Sequence, residues 1–138
     1  MADPSNIILL VEDETDVREA IEEVLVEHGC QVMCVTDGAQ ALEWLARGQR
    51  PSLVLLDFVM PEMSGWTFLE RMRADPALGD VPVVAISALA VAHPRVSAAL
   101  RKPFDLPSLL RMVDRFAPCS GEGAPTPGRD WRRGAEAG

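Results

Sequence analysis

The chain of 138 residues has no tyrosine, two histidines and three cysteines. Cys30, Cys34 and Cys119 are odd in number and widely spaced, which argues against a disulfide framework. On one strand, Cys30 and Cys34 would share a face yet sit too far apart along it to bond, so buried thiols are expected there. With His28 and His93 as the whole histidine complement, a zinc site is not expected. No apolar run approaches the ~20 residues needed to span a bilayer. Met1-Ala2-Asp3-Pro4 lacks a basic segment followed by an apolar core, so no signal peptide is read and a cytoplasmic location is the expectation. Positive charge is also scarce. Thirteen Lys and Arg face 21 Asp and Glu, for a net −8, which argues against non-specific attraction to nucleic acid or to an anionic membrane.

Apolar residues, by contrast, make up 48% of the chain, enough for one domain with a proper core. They gather into four runs that each end on a polar residue. Ile7 to Val11 ends on Glu12-Asp13, Leu53 to Leu56 on Asp57, and Val83 to Ile86 on Ser87. The weaker run Val96 to Leu100 passes through Arg101 to Lys102-Pro103. Short apolar runs separated by helical patterns predict buried strands of a parallel sheet.

Between the runs, Val17, Ala20, Ile21, Val24, Leu25 and His28 fall at helical spacing, predicting a helix over about 16–28. Asp13 to Thr15 offer capping groups at its start, and Gly29 suits the position just past its end. Gln31 to Val35 reads as a strand, 39–47 as a short helix, 65–74 as a third helix, and 105–116 as the last. The alternation predicts a doubly wound α/β fold, a five-stranded parallel sheet in the order 2-1-3-4-5. Only Ala88 to Arg95 separate the fourth run from the fifth, and Pro94 lies among them. A crossover between parallel strands usually takes a dozen or more residues, so the fourth helix is expected to be shortened or missing. Residues 1–117 form the expected domain. Residues 118–138, with three prolines and five glycines, are expected as a flexible tail.

In open sheets of this kind ligands bind outside the carboxyl ends of the strands. Glu12, Asp13, Asp57, Ser87 and Lys102 should therefore meet at one edge. Three carboxylates suit Mg²⁺, which prefers oxygen ligands. A carboxylate can also act as a nucleophile and form an aspartyl phosphate. A lysine and a hydroxyl would hold the remaining phosphoryl oxygens. Each group alone has a plainer role, as a helix cap, a turn hydroxyl or a surface charge.

Taken together, Val11-Glu12-Asp13-Glu14, the segment from Leu55 through Asp57, Val59 and Pro61 to Gly65, Ile86-Ser87-Ala88 and Lys102-Pro103-Phe104 resemble the receiver domains of two-component response regulators over residues 5–116. The resemblance implies roles. Asp57 would accept a phosphoryl group from a sensor histidine kinase or a histidine phosphotransfer protein. Asp13 would bind Mg²⁺ directly and Glu12 through water, with the backbone carbonyl of Val59 as a further ligand. Ser87 and Lys102 would engage the phosphoryl group. A cis Lys102–Pro103 bond is also implied. The chain would not be a conventional enzyme, although it would promote its own phosphorylation and dephosphorylation.

Three departures from the family pattern bear on output. The segment between Ser87 and Lys102 is short. The switch aromatic is replaced by Ala99, and with no tyrosine the usual hydroxyl–aromatic relay cannot form. Val59 and Leu89 cannot orient an attacking water, so a long-lived phosphorylated form is expected. Output is expected through the first helix, the last helix or the 88–95 loop. A phosphohydrolase is disfavoured, because Val59 stands where a second aspartate would be needed. No DNA-binding or catalytic output segment is recognised after residue 116, which favours a stand-alone receiver with protein targets. The alternatives are a phosphorylation-independent interaction module and a fragment of a hybrid kinase.

Overall fold

The computed structural model describes residues 7–58, 63–87 and 96–117. Its elements are β1 (Ile7–Val11), α1 (Thr15–Glu27), β2 (Gln31–Val35), α2 (Gly38–Ala46), β3 (Leu53–Asp57), α3 (Gly65–Arg73), β4 (Val83–Ser87), β5 (Ala98–Arg101) and α4 (Leu106–Phe116), with a 3-10 turn at Pro76–Leu78. The five strands form one parallel sheet in the order β2-β1-β3-β4-β5, as predicted. Four α-helices lie among the described residues. The β4–β5 connection at 88–95 and the segment 118–138 lie outside them, and so do the expectations made for both.

The central strands β1, β3 and β4 are buried on both faces, and their two-residue period sorts the core into two layers. Leu9 and Val11 of β1 and Val54 and Leu56 of β3 point to one side, where they pack with Ala41, Trp44 and Leu45 of α2 and with Phe68, Leu69 and Met72 of α3. Ile8 and Leu10, with Leu53 and Leu55, point to the other, against Ile21, Leu25 and Val26 of α1 and Leu109 and Val113 of α4. Burial on α1 departs slightly from the predicted stripe: Ala20 is exposed while Val26 is buried. A C-terminal carbonyl set is closed at His28, and Gly29 follows with φ +94°, a conformation that glycine adopts without strain.

Cys30 and Cys34 border the same layer, as their spacing required. Cys30, however, is disulfide-bonded, whereas a buried thiol was expected; Cys34 keeps its thiol. The two are not bonded to each other, although Cys30 sits just before β2 and not on it. Spacing carried no information about the bond that Cys30 does make.

Helix starts follow a common rule with one exception. Asp37, Ser64 and Asp105 each accept a hydrogen bond from the backbone N–H three residues on, at Gln40, Thr67 and Ser108. At α1 the cap position is Glu14, whose side chain makes no capping bond. No helix of the described residues is long and apolar enough to cross a membrane.

Candidate functional site

All four described strands that carry the predicted chemistry deliver it at one edge of the sheet. Glu12 follows β1, Asp57 ends β3, Ser87 ends β4 and Lys102 follows β5. The parallel register enforces this: Asp57 pairs with Ile86, and Ser87 with Arg101. The backbone N–H of Lys102 donates to the Ser87 carbonyl at 2.7 Å, extending the β4–β5 ladder to the site. The Lys102–Pro103 peptide bond is cis, as the resemblance implied.

The Lys102 ammonium sits 3.0 Å from Glu12 Oε1, 3.4 Å from Asp57 Oδ2 and 3.5 Å from Glu14 Oε1. Glu12, Asp57 and Ser87 are buried, and Asp13 is half-buried. Carboxylate oxygens of Glu12, Asp13 and Asp57 lie within 4.8 Å of one another. Ligands around Mg²⁺ at ~2.1 Å sit about 3–4 Å apart. This donor set, all oxygen and with two members buried, therefore fits a hard divalent cation with little closing in. The predicted fourth ligand, the Val59 carbonyl, lies outside the described residues.

Burial pushes the Glu12 carboxyl up to about 7, and the nearby Asp57 charge adds to this against the hydrogen bond from Lys102. Lys102 is held above the usual lysine range. Burial alone would lower it, but hydrogen bonding and attraction to Glu12 and Asp57 together outweigh that loss. The two shifts pull against each other, because Glu12 attracts Lys102 only when ionised.

Two site residues went unassigned at the level of sequence. Arg18, on the second turn of α1, donates from Nη1 to the carbonyls of Glu12 at 3.0 Å and Asp13 at 3.5 Å, so the helix clamps the backbone that carries both acids. No local pattern marks it. Glu14 lay inside a matching segment, but nothing in its spacing indicated contact with Lys102. Met63 packs against the core, and Trp66 meets Phe58 edge-on with ring centroids 4.8 Å apart. Gly65 allows that approach. A Cβ there would lie 2.7 Å from the Phe58 Cα, one residue from Asp57.

A parallel 2-1-3-4-5 sheet with acids, a hydroxyl and a lysine on its carboxyl edge defines a receiver. The chain belongs to the response regulator receiver domain family, whose model matches residues 8–114. It is 31% identical to protein Rrf1 of Nitratidesulfovibrio vulgaris, a match covering 86% of this chain and 87% of Rrf1. It is 33% identical to the response regulator Rre1 of Synechocystis, where the match covers 82% of this chain but 52% of Rre1. Thus it spans nearly all of one relative and about half of the other. Among solved structures, the receiver domain of a sensor histidine kinase from Pseudomonas aeruginosa, described with magnesium coordinated in its active-site cleft, is 32% identical with a TM-score of 0.74, covering 82% of this chain and 98% of that one. The chemotaxis protein CheY4 of Vibrio cholerae shares the fold, with a TM-score of 0.73 at 24% identity, covering 80% of this chain and 97% of its own.

Proposed function

We propose that this receiver is a Mg²⁺-dependent phosphoacceptor, with Asp57 as the acceptor and Ser87 and Lys102 as its phosphoryl-binding partners. The convergence of the Glu12, Asp13 and Asp57 carboxylates with the Lys102 ammonium at one sheet edge carries this reading. A carboxylate oxygen of Asp57 attacks the phosphorus of a phosphohistidine, the P–N bond breaks, and the departing imidazole nitrogen takes up a proton. Asp57 is buried and acceptor-only when ionised, so its lone pair is kept from bulk water. Lys102 already touches the attacking carboxylate and is positioned to pair with the charge that develops. Ser87 supplies a hydroxyl from the neighbouring strand end. Mg²⁺, held by Asp13, Asp57, the Val59 carbonyl and Glu12 through water, would supply the charge neutralisation that lets two anions meet. The magnesium in the Pseudomonas relative supports that assignment.

The donor is a sensor histidine kinase or a histidine phosphotransfer protein, and the signal passes by protein contacts. The net charge of −8 supports protein rather than nucleic-acid targets for this chain. A second reading, a receiver belonging to a hybrid kinase, is favoured by the likeness to a kinase-borne receiver at 32% identity.

The test is intact mass after incubation with Mg²⁺ and a small phosphodonor such as acetyl phosphate. Wild type is expected to gain one phosphoryl group, while Asp57→Ala gains none. An unmodified wild type under conditions that phosphorylate a control receiver sinks the proposal.

A further inference from the structure

Glu14 breaks the local rule at its position. It occupies the cap of α1 in an extended conformation (φ −80°, ψ 118°), yet its side chain makes no capping bond. The other three α-helices among the described residues are each capped by an Asp or Ser side chain. The Glu14 carboxylate lies instead against Lys102 Nζ at 3.5 Å, with its side chain 63% exposed. The backbone at residue 14 is committed as well, since its N–H donates to Glu12 Oε2 at 3.2 Å and its carbonyl accepts from Arg18 N at 2.9 Å. Residue 14 thus touches both Glu12 and Lys102.

An ammonium has three N–H donors. Those of Lys102 face Glu12, Asp57 and Glu14, at 3.0, 3.4 and 3.5 Å. A phosphoryl group on Asp57 adds oxygens that compete for those donors. Glu12 is fully buried and cannot turn to water, and Asp57 is the group being modified. Glu14 makes the longest contact and is the one acid of the three that can be solvated in place.

We propose that Glu14 is a positioning residue that holds the Lys102 ammonium at the rim of the resting site and gives it up when Asp57 is phosphorylated. The idea rests on the phosphoacceptor reading of Asp57. Glu14 restrains the reaction: it competes with the incoming phosphoryl oxygens for one N–H and adds negative charge where an anionic donor must approach. The helix start forgoes a capping bond in the same arrangement, as expected where a local preference yields to a site.

The experiment measures the rate of adduct formation by intact mass at saturating Mg²⁺, with acetyl phosphate as donor. The proteins are wild type, Glu14→Gln, Glu14→Ser and, as a charge control, Asp16→Asn, whose carboxylate lies on the same helix turn but is not among the Lys102 contacts. Glu14→Gln and Glu14→Ser are expected to react about two- to fivefold faster than wild type, the scale of an exposed ion pair; Asp16→Asn should change much less. Glu14→Ser, which can cap α1, should also melt about 2–4 °C higher, separating the capping defect from the effect on rate. In a Lys102→Ala background, Glu14→Gln should lose its effect. Equal rates for wild type and Glu14→Gln, or the same acceleration from Asp16→Asn or without Lys102, overturn the proposal while leaving the phosphoacceptor reading intact. No adduct on any protein, wild type included, overturns both.

Discussion

Glu12 is the residue whose surroundings most alter its chemistry. It is fully buried, its carboxyl is raised from 4.5 to about 7, and its partners are the Lys102 ammonium and the Glu14 N–H. A carboxyl raised on folding means that the folded chain binds more protons than the unfolded one between those two values. Stability therefore falls as pH rises through that window. The contribution is complete below about 4.5 and gone above about 7, on the order of 3 kcal/mol. Urea unfolding in EDTA should show a midpoint that declines from pH 5 to pH 7.5, and Glu12→Gln should flatten the decline. A midpoint rising over that range in wild type would contradict the burial argument. The polar ends of the apolar runs made Glu12, Asp13, Asp57, Ser87 and Lys102 legible in the sequence. Glu14 and Arg18 were not, because contacts such as Glu14 to Lys102, 88 residues apart, leave no trace in local spacing.

Elements were legible where a period and its punctuation agreed. The strand β3, residues Leu53–Asp57, came out as predicted, and α1, α2, α3 and α4 shifted by a residue or so at their ends. The fifth strand was harder. Its run was read from Val96, but pairing begins at Ala98, since this edge strand is only partly buried and its pattern is weak. What ties elements together was also hidden. Arg73, on the last turn of α3, donates from Nη1 to the carbonyls of Leu78, Gly79 and Val81, at 3.0, 3.1 and 2.7 Å. One guanidinium thus shapes the whole path from α3 into β4. Charged hydrogen bonds of this kind are worth about 1.5–3 kcal/mol each, and losses within one cluster are not additive. Arg73→Ala should lower unfolding stability by about 2–3 kcal/mol, and Arg73→Lys should recover only part of it, since an ammonium lacks the planar fork. Chemical denaturation checks both. Mg²⁺ affinity should stay unchanged, because Arg73 is at the opposite end of β4 from Ser87.

At the scale of the whole molecule, the fold class and strand order were readable because alternating strand and helix patterns leave few ways to build a right-handed parallel sheet. The disulfide at Cys30 was not, because residue spacing keeps no record of the bonds that folding makes. The same sheet explains how a site can be rigid while its surroundings are adjustable. Asp57 is held between β1 and β4 in the centre of the sheet, with paired strands on both sides.

The two apolar layers have a consequence for how this sequence can change. The sheet is a partition: α1 and α4 share one core, α2 and α3 the other, and backbone separates them. Substitutions in different layers should add nearly independently, whereas those in one layer should show epistasis. Ile21→Val combined with Leu69→Ala should match the sum of the single effects within ~0.5 kcal/mol. Ile21→Val combined with Val113→Ala should deviate from its sum by more than that, since both belong to one packed cluster. A four-protein cycle by urea denaturation decides each case. If the partition holds, the α2–α3 half can drift, or be redesigned for a new partner, while the half that backs Glu12 and Lys102 stays as it is.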